Sequence, residues 1–328
     1  MADSEHLSEA RRALLEKYLQ GDVPHTATAV GAADRRVRGS PAPPSATDAR
    51  VGVVPVQTGG SRRPLFYVHP HWIGGAFYTV TLAHHLGADQ PLYLLDPYRF
   101  DGLPVPPTIE AMAAAYLEAM RTVQPHGPYL LAAFCGAGLI AYEMAQQLRA
   151  QGESVDALLL VDPMAGPIHF IRVLGGAIRR IGGLLRLGED KQVDWFLRVR
   201  YVSRVLRRSY DETTDHVDRL LRRWRDEHPQ RVALIPAAAA LRQDWMAVFI
   251  WAVSGYVPRL YPGRITYLLA ADNPAGRTLW WGTVGDADNV EIHTIPGTNT
   301  TCRSQHIHSL AEHLRACVGK AQGTEPMP

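Results

Sequence analysis

The segment best equipped for chemistry is Tyr129-Leu-Leu-Ala-Ala-Phe-Cys-Gly-Ala-Gly-Leu-Ile-Ala-Tyr-Glu-Met, where a strand pattern runs straight into a helix pattern with Cys135 at the corner. A nucleophile at such an elbow adopts a strained backbone, so the residues two before and two after it must be small. Ala133 and Ala137 hold those positions, where glycines are usual, and Gly136 and Gly138 leave room beside them. The bend would lift the sulfur above the sheet, near the positive end of the following helix, where a thiolate is favoured. The amide of Gly136 would then be one donor of an oxyanion hole. Cysteine is also a common buried packing residue. The elbow context selects the nucleophile for Cys135, whereas Cys302 and Cys317 lack such a setting and read as packing.

An elbow needs a sheet beneath it, and from residue 51 onward strand and helix patterns alternate. Residues 64–69, 91–95, 129–134, 157–162, 265–270 and 290–295 read as strands; 77–86, 109–123, 138–151 and 307–318 read as helices. The strands are mostly unbroken apolar runs, which implies a parallel sheet covered by helices on both faces. The rhythm breaks between 162 and 265. Within it, residues 171–231 carry 15 Lys and Arg against 9 Asp and Glu on helix-like stretches. We read a helical insertion, a lid over about residues 166–260, because segments at the carboxyl edge of an open α/β sheet surround the ligand. A solvated helix pair is the plainer alternative.

Ahead of this body, residues 1–22 read as an amphipathic helix with Leu7, Leu14, Leu15, Tyr18 and Leu19 on one face. Residues 23–50, rich in Pro, Ala, Arg and Ser, read as a flexible linker, and 319–328 as a loose tail. The whole chain has 34 Lys and Arg against 32 Asp and Glu, a balance that argues against a nucleic-acid binder. Three scattered cysteines make neither a disulfide framework nor a zinc cluster, and His69-Pro-His71 lacks a third ligand, so no metal is expected. No dinucleotide fingerprint follows the first strand. No basic-then-apolar leader is visible, and the most apolar stretch, 129–141, is too short for the ~20 residues that span a bilayer. A cytoplasmic protein without membrane contact is expected.

Several ordered motifs carry a resemblance. Val54-Pro-Val-Gln-Thr-Gly-Gly-Ser-Arg-Arg-Pro-Leu-Phe-Tyr-Val-His-Pro, Val123-Gln-Pro-His-Gly-Pro-Tyr-Leu-Leu and Ala141-Tyr-Glu-Met-Ala-Gln-Gln-Leu resemble the thioesterase domains of nonribosomal peptide and polyketide synthases over residues 51–318. The leading Leu7-Ser-Glu-Ala-Arg-Arg-Ala-Leu-Leu-Glu-Lys is similar to helices between synthase modules. The resemblance implies an α/β-hydrolase fold, a mostly parallel sheet flanked by helices with a helical lid. It also implies a substrate carried on the phosphopantetheine arm of an acyl or peptidyl carrier protein, with no cofactor of the enzyme's own.

Carried over residue by residue, the resemblance puts Cys135 where a serine is usual and makes Asp162, ending the next strand 27 residues on, the acid. It aligns the oxyanion loop with His69-Pro-His-Trp-Ile-Gly-Gly, a backbone amide near His71 being the second donor. The departure comes at the base. The family's histidine loop reads Ile295-Pro-Gly-Thr-Asn-Thr-Thr here, so Asn299 stands at the histidine's place, and an amide cannot accept a proton near neutral pH. Three readings are open: a variant inactivated at Asn299, another histidine (His71, His306 or His293) as base, or a relative that relies on its thiol alone.

A cysteine exchanges one thioester for another, so the acyl group stays activated. That suits attack by a carbon nucleophile, a poor hydroxyl or another thiol. Stand-alone Cys-Asp-His members are similar in this to the Dieckmann cyclases that form tetramate or pyridone rings. The expected function is transfer of an acyl or peptidyl chain onto Cys135 and release by such a cyclisation in natural-product (antibiotic) biosynthesis. The alternatives are a hydrolytic, editing or macrolactonising thioesterase, a shuttle between carriers, or a non-catalytic carrier-binding protein. Trp195, Trp224, Trp245 and Trp251 would help exclude water, and the basic stretch would steer an acidic carrier.

Overall fold

The computed structural model describes residues 50–69, 78–164, 168–211, 236–273 and 289–323. The expected leading helix and nearly all of the linker, the loop holding His71 and Trp72, and Trp224 lie outside them. Arg50, the last linker residue, is tied down, its guanidinium donating to the carbonyl of Asp101 at 2.7 Å.

Among the described residues seven strands form one sheet: β1 (Val53–Gln57), β2 (Leu65–Val68), β3 (Leu92–Leu95), β4 (Tyr129–Phe134), β5 (Val155–Val161), β6 (Ile265–Ala270) and β7 (Val290–Ile295). Their order is β1-β3-β2-β4-β5-β6-β7, all parallel except β1, which pairs antiparallel with β3 at the edge. Sequence patterning misses β1, because its short, partly exposed run does not read as a core strand. β2 and β4 are buried on both faces, which is why their sequences are continuous apolar runs. β7, at the other edge, keeps only Ile295 fully buried.

Along β4 the pleat sends Leu131 and Ala133 to one face and Leu130, Ala132 and Phe134 to the other. Helices α2 (Ile109–Arg121) and α3 (Ala137–Ala150) cover the first face through Met112, Tyr116, Leu139 and Tyr142. Helices α1 (Tyr78–Leu86) and α8 (Ile307–Gln322) cover the second through Leu82, Leu86, Leu310 and Leu314. α2 starts sharply because the Thr108 side chain accepts from the Ala111 amide at 3.2 Å. α8 runs past the expected end at residue 318. Its last turn is fastened to the sheet: Gln322 accepts from the Arg63 amide at 2.9 Å, and Arg63 donates to the Ala321 carbonyl at 3.0 Å.

Between β5 and β6 lie helices α4 (Ile168–Leu184), α5 (Glu189–Asp211), α6 (Ala238–Leu241) and α7 (Trp245–Gly255). α4 and α7 cross closely, since a side chain at Gly175 would strike Ser254. The Arg179 guanidinium stacks on Trp251, 3.9 Å from the ring centre, and donates to Ser254 Oγ at 3.0 Å. Trp251 is therefore core packing, while Trp195 is exposed and Trp245 half-buried. No helix among the described residues is long and apolar enough to cross a membrane.

Candidate active site

Register builds the site. Phe134 on β4 sits opposite Val161 on β5, and Val161 opposite Leu268 on β6, so the residues just past these pairs meet at one edge. The Cys135 amide donates to the Val161 carbonyl at 2.9 Å and the Asp162 amide to the Leu268 carbonyl at 2.8 Å. Both turns use left-handed backbone, with φ of +51° at Cys135 and +39° at Asp162. Such conformations cost a non-glycine residue about 1–3 kcal/mol each and persist only where the surroundings over-determine them. The small residues of the elbow make room: Ala133 and Ala137 are buried, and a side chain at Gly138 would press on Pro163 at 3.3 Å. The Cys135 carbonyl accepts from the amides of Gly138 at 3.1 Å and Met164 at 3.2 Å, locking the turn from both sides.

Asp162 is 1% exposed, and its carboxylate is saturated with donors. Oδ1 accepts from the Ala270 amide at 3.2 Å; Oδ2 accepts from Asn273 Nδ2 at 2.9 Å and Asn299 Nδ2 at 2.6 Å. Asn299 therefore sits directly against the Asp162 carboxylate. Its side chain also acts on the Cys135 thiol, drawing it toward the charged form. None of the hydrogen bonds that Asp162 receives among the described residues comes from an imidazole.

The expectation of a favoured thiolate needs correction. Burial pushes the Cys135 thiol above its ordinary value. The Gly136 amide pulls it down, the Asp162 charge adds to the rise, and the Asn299 amide and the Arg303 charge oppose it. A helix N-terminus alone does not outweigh a buried sulfur beside a carboxylate. Cys302 is more extreme: wholly buried, its thiol is pushed up to about 12, first by burial and then by Asp162. It donates to the Asn299 carbonyl at 3.3 Å, a packing and positioning contact.

Of the other histidines, His293 lies 3.1 Å from Glu291 with its ring near His313, away from the elbow. His306 caps α8, and its ring fills the space over Gly297. Gly297 has φ +87°, and a side chain there would strike Thr301 and His306, so this glycine is what lets the Asn299 loop fold back. His71 lies outside the described residues. Sequence reasoning missed Asn273, a donor to the acid, and Arg303, whose guanidinium lies 5.2 Å from the Phe134 ring centre. Neither sits in a motif; only the turns after β6 and β7 bring them in.

Sheet order, the strand–elbow–helix at β4 and the acid at the end of β5 define an α/β-hydrolase fold. Within that fold the thioesterase domain family model matches residues 63–167. It is 36% identical over 169 residues to a dimodular nonribosomal peptide synthase of Bacillus subtilis (strain 168), a match covering 51% of this chain and 7% of that one. It is 35% identical over 130 residues to the atromentin synthetase invA5 of Paxillus involutus, covering 38% and 14%. The chain thus spans a small fraction of the curated relatives it matches. Among solved structures it is similar to the NocB thioesterase domain from the nocardicin cluster. There the identity is 25% and the TM-score 0.51, with 83% of this chain and all of that one covered.

Proposed function

We propose that this protein takes an acyl or peptidyl chain from a carrier protein's phosphopantetheine thioester onto Cys135 and releases it by intramolecular cyclisation of the Dieckmann type. The observation that carries the reading is the sulfur at a left-handed elbow beside the next strand's Asp162, whose carboxylate is held by the amide of Asn299 at 2.6 Å. Activating water calls for a general base, typically worth about 10²–10⁴ in rate. The C–H between the carbonyls of a β-keto amide is far more acidic than water and can give its proton to solvent, leaving the carbanion to attack, so cyclisation loses least when histidine is replaced. In this reading Asp162 and Asn299 orient the sulfur, the Gly136 amide receives the developing oxyanion, and an amide near His71 is the second donor.

The helices between β5 and β6 act as the lid. Arg172 and Arg180 on α4, Arg186 in the turn after it, and Arg198 and Arg204 on α5 are exposed cations suited to steering an acidic carrier. Intact mass of the product released from a β-keto-amide acyl-thioester mimic separates the outcomes. Cyclisation gives a product lighter by one water than the free acid, and release of the acid alone would assign an editing or hydrolytic role. Asn299 also favours a second reading, a non-catalytic, degenerate hydrolase that holds an acyl carrier. No turnover even after Asn299→His, together with no preference of an alkylating agent for Cys135 over Cys302, would select it.

A further inference from the structure

Arg303 is an unusual guest at this site. It follows Asn299 by four residues on a single 3₁₀ turn (Thr301–Arg303), and its guanidinium carbon lies 5.4 Å from the Tyr78 ring centre and 5.2 Å from that of Phe134. Those rings belong to the start of α1 and to the residue just before the nucleophile. Both distances are within cation–π range. The Nε atom is buried and meets no hydrogen-bond acceptor among the described residues. A cation set between two rings with an unanswered donor is costly unless some anion uses it.

We propose that Arg303 is the positioning charge of a base-free thiol exchange: its guanidinium sustains negative charge on Cys135 before attack and on the departing pantetheine sulfur after it. The proposal rests on the acyl-transfer reading of Cys135. The step balances without a histidine. Cys135 gives its proton to solvent, and its thiolate attacks the thioester carbonyl carbon. A new C–S bond forms, and the tetrahedral oxyanion collapses. The pantetheine C–S bond then breaks, its electron pair leaving on sulfur, which takes a proton back from water. One thiolate enters and one leaves, so a fixed cation serves both halves where a serine alkoxide would require a base. Cys135 and Asn299 thus belong together, and Arg303 supplies what makes the pair workable.

The groups around the sulfur are consistent with this. Asp162 is the negative charge that opposes thiolate formation. Tyr67, Tyr78 and Cys302, which also face Arg303, are all pushed toward their protonated forms, chiefly by burial, so they do not neutralise it. His69 lies behind Tyr78, its Nδ1 3.2 Å from the phenol oxygen.

The test is the rate of iodoacetamide alkylation of Cys135 from pH 6 to 10, followed peptide by peptide by mass spectrometry. The full chain would be compared with Arg303→Met, Arg303→Gln and Arg303→Lys. Removing a nearby opposite charge moves a midpoint by about one pH unit or more, a tenfold change in reactive fraction. Arg303→Met should alkylate about tenfold more slowly at pH 7.5 with its profile displaced upward, while Arg303→Lys keeps most of the wild-type rate. If Arg303→Met fails to fold by circular dichroism, Arg303→Gln against Arg303→Lys makes the same comparison. Superimposable profiles for charged and uncharged variants would overturn the role of Arg303. Loading of Cys135 by an N-acetylcysteamine thioester, measured on the wild type alone, judges the underlying reading. Its absence would remove acyl transfer while leaving the alkylation comparison intact.

Discussion

The two ends of the sheet are built for different purposes. At the amino edge, left-handed backbone falls on glycines such as Gly60, Gly87 and Gly152, and polar side chains knit neighbours together. Arg63 pairs with Asp156 at 2.6 Å, Gln90 donates to the Arg63 carbonyl at 2.7 Å, and Gln322 donates to Gln90 at 2.9 Å. At the carboxyl edge the chain bends through left-handed backbone at Cys135, Asp162 and Gly297, and a buried carboxylate collects three donors. One end spends its polar groups on cohesion. The other accepts strain in order to hold a sulfur, an acid and an amide in line, so substitutions at the two ends should separate chemistry from stability.

The largest separation is expected from Cys135→Ser. A hydroxyl without a base should lose about 10³-fold in acyl loading, within the range for general-base catalysis, and adding Asn299→His should recover much of it. Initial rates of loading check this, and undiminished loading by the single variant would break the idea of a base-free thiol. Asp162→Ala removes the acceptor for Ala270, Asn273 and Asn299, and should cost about 3 kcal/mol in urea unfolding. Gly297→Ala forces a side chain into left-handed backbone and against His306, costing about 2 kcal/mol by the same measurement.

The pH dependence sharpens the contrast further. Burial raises the Cys135 thiol, so it is mostly protonated at neutral pH. The thiolate fraction, and with it the loading rate, should climb about tenfold per pH unit until pH passes the raised midpoint; a loading rate flat between pH 6 and 8 would contradict that sign. The smallest effect belongs to the amino edge. Arg63→Gln breaks a partly exposed ion pair and the bond to the Ala321 carbonyl, and should cost about 1–2 kcal/mol, leaving acyl loading unchanged.

Much of this contrast is legible in the sequence, but unevenly. The interior strands declare themselves because burial on both faces leaves only apolar residues, and the elbow declares itself through Ala133, Gly136, Ala137 and Gly138. Asp162 and Asn299 are found through the resemblance to thioesterases, and the structure places their side chains 2.6 Å apart. Edge strand β1 is hidden because its five residues are all only partly buried or exposed, with no apolar run or clean alternation. Asn273 and Arg303 are hidden for another reason: each lies on a turn whose direction is set by sheet register, which no local pattern encodes. The sign of the Cys135 shift was equally out of reach, since it depends on how deeply the sulfur and Asp162 are buried.

The central proposal is that Cys135 accepts an acyl group at a site where Asn299, and no imidazole among the described residues, holds the Asp162 carboxylate. Peptide-resolved mass spectrometry after incubation with an acyl N-acetylcysteamine thioester tests it most directly. The account expects a single, persistent acyl adduct on the peptide containing Cys135, absent from Cys135→Ala. No adduct, or one that survives that substitution on Cys302 or Cys317, would contradict it.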